Sequence, residues 1–319
     1  MNLRNSRIME FKAGSEYHIP VLYNEVIEGL NLRPNTTIVD GTLGGGGHTE
    51  LILKSNKTIK VIGVDRDTQA IEFTTNRLKK FSSRLDVVHS NFKEIVNILN
   101  EKEVKADGIL LDLGVSSHQI DDETRGFSFR FDADLDMRMD REQTLTAKDV
   151  VNNYTESDLV EIFSSYGEEK YSKRIARGII ARRPISTTFE LKNAITEIVD
   201  RINKKDSPSS VQRVFQAIRI EVNAELTELY DFIVSLPSVL NKGARIAIIS
   251  FHSLEDRIVK RAFNELTTEC VCPPKIPVCV CGHKAKAKHI TRKPITATSE
   301  ELSTNPRSAP AKLRVVEII

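Results

Sequence analysis

Cysteine is scarce, with four among 319 residues, all between Cys270 and Cys281. A disulfide framework is spread through a secreted fold, so this clustering argues against one. Also missing is any run near the roughly 20 apolar residues that span a bilayer. Residues 1–16 are polar and mixed in charge, lack an apolar h-region, and read as a loose leader. A cytoplasmic location follows by elimination. Nor is there an excess of one charge, since 46 basic and 44 acidic residues leave a net charge of +2. Affinity for nucleic acid must then come from local basic patches. There is no internal repeat and no heptad run. What is present, 40% apolar and 28% charged residues, suffices for the core of one large or two ordinary domains.

The most informative stretch is Ile38-Val-Asp-Gly-Thr-Leu-Gly-Gly-Gly-Gly-His48. A short apolar run ends in Asp40. Gly41, Gly44, Gly45, Gly46 and Gly47 follow, then a helical pattern through Leu51, Ile52 and Leu53. This reads as strand, glycine turn, helix, a place where a ligand can approach bare backbone and helix N–H groups. The next apolar run, Val61-Ile-Gly-Val64, ends in Asp65, where a carboxylate can accept from ribose hydroxyls. Both a dinucleotide and S-adenosylmethionine suit such a turn. The dinucleotide pattern G-x-G-x-x-G fails in both registers, because Leu43 or Thr49 stands where glycine is needed. Asp40 would repel a pyrophosphate and suits a sulfonium amino acid.

Strand and helix then alternate. Strands are expected near 37–40, 61–65, 85–89 and 108–112, and helices near 21–30, 47–54, 68–80 and 95–99. Strands apolar throughout and alternating with helices indicate a parallel sheet covered on both faces, whose ligands lie beyond the strands' carboxyl ends. Asp40, Asp65, Phe92 and Asp112 converge on that edge. Residues 113–145 form a long irregular stretch rich in aspartate, and long ordered loops tend to be functional. Helices follow near 146–153, 157–165, 168–182 and 188–203. This reads as an inserted helical unit, with 204–210 as a polar hinge. One long helix is expected over 211–235, a strand over 244–251, a helix over 254–266 and a closing strand over 312–318.

The cysteines form C-x-C, six residues, C-x-C, with His283 nearby. A zinc site and a loop of reduced thiols both fit. The spacing is not the usual C-x₂₋₄-C, and no metal ligand is assigned. Basic residues gather at Lys170, Lys173, Arg174, Arg177, Arg182 and Arg183, at Lys284, Lys286, Lys288, Arg292 and Lys293, and at Arg307, Lys312 and Arg314. A solvated helix face explains the first group, while clustering without acids suits phosphate contacts.

Several blocks carry a resemblance: His18-Ile-Pro-Val-Leu22, the Asp40–His48 loop, Gly63-Val-Asp-Arg-Asp67, Ile109-Leu-Leu-Asp-Leu-Gly-Val-Ser-Ser117, Arg125-Gly-Phe-Ser-Phe129, Asp136-Met-Arg-Met139, Phe215-Gln-Ala-Ile-Arg-Ile220, Ser250-Phe-His-Ser-Leu-Glu-Asp-Arg257 and Asn305-Pro-Arg307. Over residues 16–319 the chain resembles the ribosomal small subunit methyltransferase H family. The resemblance implies an α/β, Rossmann-like, S-adenosylmethionine-dependent methyltransferase fold with an inserted all-helical domain. Residues 1–124 and 211–319 would form the methyltransferase domain, and 125–210 the insertion that helps recognise RNA. It implies methylation of the exocyclic N4 of a cytosine in the decoding region of 16S rRNA, in the small ribosomal subunit, by a monomer or homodimer. The cofactor contacts it implies are Gly46, Gly47, His48, Asp65, Phe92, Asp112 and Gln119. As bare residues, Phe92 reads equally as a core aromatic and His48 as a helix N-terminal side chain. Asp112 is the expected catalytic residue, accepting a hydrogen bond from the target amine. Methylation at cytosine C5 needs a cysteine nucleophile, and none lies near the first four strands. His118 and Ser308–Ala311 depart from the family pattern.

Overall fold

A computed structural model describes residues 20–270, 272, 278 and 280–319. The expected leader, His18 and Ile19 of the His18–Leu22 block, and Cys279 lie outside the described residues.

The chain enters as α1 (Tyr23–Leu30), whose Val26 and Leu30 are buried, and runs into β1 (Thr37–Asp40). Then come α2 (Gly47–Ser55), β2 (Lys60–Asp65), α3 (Thr68–Arg77), β3 (Leu85–His89), α4 (Ile95–Glu101) and β4 (Ala106–Asp112). A short α5 (Ser117–Asp121) follows, then α6 (Ala147–Asn153), α7 (Glu156–Ser165), α8 (Ser172–Ile180), α9 (Thr188–Asn203) and α10 (Ser207–Asn223). The chain closes with α11 (Leu229–Ser235), β5 (Leu240–Ser250), α12 (Ser253–Thr267), β6 (Ala287–His289), α13 (Ser299–Thr304) and β7 (Lys312–Ile318). Caps mark the helix starts: Asp67 accepts from Gln69 N at 3.0 Å, and Thr146, Thr155 and Thr187 each form a reciprocal capping box. Among the described residues no helix is long and apolar enough to cross a membrane.

The seven strands lie in the order β3-β2-β1-β4-β5-β7-β6, with β1 to β5 parallel and β7 antiparallel to both neighbours. Strand order reverses between β1 and β4, and a crevice opens there beyond the carboxyl ends. Ile109, Leu110 and Leu111 of β4 are wholly buried. Burying each stabilises by about 1.5–3 kcal/mol. Ile109 and Leu111 join the cluster under α4, α11 and α12, and Leu110 joins the one under α1 and α2. A third cluster, from Leu135 to Val222, packs α6 to α10 together.

Two expectations are corrected. The 204–210 hinge is a 3₁₀ turn, Lys204–Asp206, leading straight into α10, with Pro208 in its first turn. The long helix over 211–235 is two helices. Ala224 and Glu228 take positive φ (47° and 63°), and the chain turns between them. The reason lies in packing: Val214, Ile218 and Val222 belong to the helical cluster, while Leu229, Phe232 and Ile233 belong to the sheet.

Candidate active site

A cavity of about 520 Å³ opens at the β1/β4 switch point, within the range of small-ligand sites. Its lining includes Gly44, Gly45, Gly47, His48, Asp65, Phe92, Asp112 and Gln119, so six of the seven residues implied as cofactor contacts converge. Gly46 is not part of the lining. Its φ is +72°, and a Cβ there would stand 2.6 Å from Thr74 Cγ2. Close approach to α3 demands the glycine, and the ligand-facing backbone belongs to its neighbours.

The loop is held from below. Gly41 N donates to Leu110 O at 2.9 Å and Leu43 N to Val64 O at 3.0 Å, so the turn stays pinned to the strands on both sides of β1. Asp40 is 1% exposed; it accepts from the Thr49 hydroxyl at 2.6 Å and from Thr42 N at 3.3 Å. Burial pushes its carboxyl up to about 6, against the pull of those two hydrogen bonds. Asp40 thus ties the start of the loop to α2 and does not line the cavity. Asp65 does line it. Its Oδ2 accepts from Gly44 N at 2.6 Å and its Oδ1 from Asp67 N at 2.9 Å. Burial raises its pKa, and those backbone bonds oppose the rise. Each carboxylate oxygen has a second acceptor site, available to a ligand hydroxyl. Phe92 lines the cavity, and its ring sits 5.3 Å from Phe232, edge to face, at the margin of the core.

Asp112 ends β4. Its backbone N donates to the Thr42 hydroxyl at 2.6 Å, which fixes the residue beside the glycine loop. The side chain is 26% exposed, with Oδ2 lying 3.7 Å from His48 Nδ1. Oδ1 is buried and has no hydrogen-bond partner. Such an acceptor normally has one. Burial pushes the carboxyl up to about 6; His48 pulls it down, and Asp40 and Glu255 push it further up. His48 itself is buried, with Nε2 2.9 Å from Val21 O. A carbonyl only accepts, so that nitrogen carries the hydrogen and Nδ1 faces the carboxylate.

Gln119 is engaged twice. Its Oε1 accepts from Ser116 N at 3.0 Å in the α5 capping box, and its Nε2 donates to Asp67 Oδ2 at 2.8 Å. Asp67 also pairs with Arg125 at 3.0 Å, and Arg125, 1% exposed, donates to Gln69, Arg138 O and Met139 O. This network joins α3, α5 and the 125–139 loop behind one wall.

The opposite wall holds residues to which the sequence reading gave no role. Arg219 of α10 pairs bidentately with Glu225 at 2.8 and 3.0 Å. Glu255 of α12, 2% exposed, accepts from Phe251 N at 2.7 Å, and one of its oxygens lies 3.1 Å from His252 Nε2. Despite burial, His252, the Phe251 amide and Arg219 hold its carboxyl below the usual range. All five residues line the cavity. They lie within or just beyond the Phe215–Ile220 and Ser250–Arg257 blocks, which were the available signal.

The basic groups divide. Folding brings acids to the first: Lys170 pairs with Asp206, Arg177 with Glu156 and Arg182 with Glu197. In the third, Arg307 pairs with Asp121, and Lys312 and Arg314 meet Asp256. In the middle run Lys288 pairs with Glu317, while Lys284, Lys286, Arg292 and Lys293 are exposed.

A sequence profile of the MraW methylase family matches residues 15–319. Among similar proteins is one named Ribosomal RNA small subunit methyltransferase H from Clostridioides difficile, 48% identical over 95% of this chain and 99% of its own length. Its namesake from Clostridium botulinum is 50% identical over 96% of this chain and 99% of its own. Another from Finegoldia magna is 47% identical over 98% of this chain and all of its own. With a parallel sheet, a glycine loop and an acidic rim already in place, a match of this extent establishes that the chain belongs to the MraW methylase family.

Proposed function

We propose that this chain methylates the exocyclic N4 of a cytosine in 16S rRNA, acting on the small ribosomal subunit in the cytoplasm. S-adenosylmethionine supplies an electrophilic methyl group carried on a sulfonium. The residues present fit it. Gly44, Gly45 and Gly47 offer bare backbone, and the α2 N-terminus opens on the same side. The remaining acceptor sites on Asp65 suit the ribose hydroxyls, and Phe92 suits the adenine face. The single observation carrying the reading is Asp112 Oδ1, a buried acceptor without a partner at the rim of this cavity. An amine hydrogen of cytosine answers that acceptor. Cytosine's amine is a poor nucleophile because its lone pair is delocalised into the ring. Accepting one of its hydrogens concentrates the lone pair on nitrogen, and alignment supplies much of the rate. The amine then loses a proton after transfer, so no strong base is required. Among the described residues no cysteine lines the cavity, so chemistry at C5 lacks its nucleophile there.

Arg219, Glu225 and Glu255 line the same cavity and would meet the entering base, and the exposed basic run at 284–293 suits the RNA backbone. The helical unit built on α6 to α10 would extend that surface. The test is label transfer from S-adenosylmethionine to small subunits from cells lacking the gene, followed by nucleoside digestion. Label in N4-methylcytidine is the expected result. No transfer to particles or free 16S rRNA, or label at C5, would sink the assignment.

A further inference from the structure

We infer that Cys270, Cys272 and Cys281 hold a zinc ion through their thiolates, in the connection from α12 to β6. The sequence left a zinc site and a loop of reduced thiols both open, and the folded geometry favours the zinc. The three sulfurs lie within 4.8 Å of one another. Sγ of Cys281 and Sγ of Cys270 are 3.8 Å apart. A zinc–thiolate bond of about 2.3 Å in a tetrahedron sets neighbouring sulfurs about 3.8 Å apart. A disulfide would bring them to about 2.05 Å. The spacing therefore suits a shared cation and not a crosslink.

The surroundings point the same way. Cysteine is among the most buried residue types, yet Cys270 and Cys281 are exposed and Cys272 only half-buried. Two described residues of the loop, Val278 and Val280, are 71% and 76% exposed. Apolar burial does not explain why three thiols meet at the surface. The backbone amide of Val280 lies 3.4 Å from Cys272 Sγ as a donor. An N–H aimed at sulfur favours the thiolate and tunes a bound metal. The base of the loop is already tied. Lys286 N donates to Leu266 O at 2.8 Å, His283 Nε2 lies 3.2 Å from Glu265 O, and the Thr267 hydroxyl lies 2.9 Å from His289 Nε2. Closing that base brings residues 270 and 281 together before any ion arrives. On binding, each thiol releases its proton to solvent as its sulfur bonds to zinc. Three thiolates on a dication leave one negative charge beside the basic run that starts at Lys284. The sequence carries a fourth cysteine, Cys279, outside the described residues, and the inference rests on the other three.

The experiment uses the full chain, reduced, loaded with zinc sulfate and desalted. Metal analysis should find about one zinc per chain. Cobalt in its place should give thiolate-to-metal charge transfer and tetrahedral d–d bands. Cys270→Ser and Cys281→Ser should each weaken zinc at least about tenfold against a chromophoric chelator. Calorimetric affinity for S-adenosylmethionine should stay as in the parent, which shows that both variants fold. The inference is overturned if the reduced chain keeps under about a tenth of an equivalent. Cobalt without thiolate bands, or serine variants that hold zinc as the parent does, would overturn it too. A Cys270–Cys281 disulfide in a chain whose reduced form takes no zinc would mark a redox pair instead.

Discussion

Replacing Asp112 by asparagine should stabilise the protein while disabling it. Burial, with Asp40 and Glu255 adding and His48 opposing, pushes this carboxyl from 3.8 up to about 6. In the unfolded chain it ionises near its ordinary value. Between the two values the native state holds more protons, so stability falls as pH rises, and the loss is complete above about pH 6. Two pH units at about 1.4 kcal/mol each make the charged carboxylate cost about 3 kcal/mol at neutral pH and above. Asparagine has nearly the same shape and no charge. Its amide still needs partners, which offsets part of the gain. The cofactor-free Asn variant should therefore be more stable than the parent by about 1–3 kcal/mol at pH 8. At pH 5 the advantage should be smaller by about 1.4 kcal/mol, one unit's worth. For a chain of this size the gain at pH 8 is a rise of several degrees in Tm. Methyl transfer should fall by about 10²–10⁴, the scale of losing a placed proton acceptor. Thermal denaturation of both proteins at the two pH values, without cofactor, reads the first effect, and single-turnover transfer reads the second. A variant less stable than the parent at pH 8, or a difference independent of pH, would refute the electrostatic reasoning.

Asp65→Ala removes the acceptor for Gly44 N and Asp67 N. Affinity for S-adenosylmethionine should drop about tenfold to a hundredfold by calorimetry, with most of the transfer rate kept at saturating cofactor; equal loss of both would show that Asp65 acts in the chemistry. Arg125→Met strips Asp67 of its guanidinium within a buried network, so stability should fall by about 3–5 kcal/mol. An unchanged urea midpoint would deny the network that role. The preference for S-adenosylmethionine over its demethylated product, whose sulfur is a neutral thioether, should grow as pH rises through about 6, because Asp112 then meets the sulfonium as an anion. A ratio flat from about pH 5 to 8 would put the sulfonium away from Asp112.

Elements were legible where the apolar pattern ran uninterrupted. The expected strands at 37–40, 85–89 and 312–318 have the bounds of β1, β3 and β7. Short elements were not. β6 has three residues, two of them exposed, so it shows neither alternation nor an apolar run. α5 has five, too few for a helical period. Its start was nevertheless written in the chain, since Ser116 and Gln119 have capping-box spacing. The break after α10 had no local signal, because neither glycine nor proline stands between Asn223 and Leu229. Apolar spacing continues across it, and only the assignment of the two halves to different cores forces the turn.

The same distinction divides the site. Its first wall was legible because one rule, functional residues at the carboxyl ends of parallel strands, could be applied to strands read from the sequence. The second wall follows from that rule as well, through the fifth strand. β5 runs parallel to β4 with Ile249 beside Asp112. Whatever follows Ser250 must emerge next to Asp112, and Phe251, His252 and Glu255 do. What the sequence could not supply was the pairing of strands separated by about 130 residues of chain, across the helical unit. Arg219 and Glu225 were hidden for a further reason. They reach the cavity through α10, a helix packed in the other core, so their placement depends on how that core docks against the sheet. Contacts such as Arg66, just past β2, donating to Asn223 O, and Glu168 with Arg257, fix that docking. The half of the site nearest the expected base is therefore set by the joint between helical unit and sheet, and substitutions at that joint should alter recognition of the base before they alter binding of the cofactor.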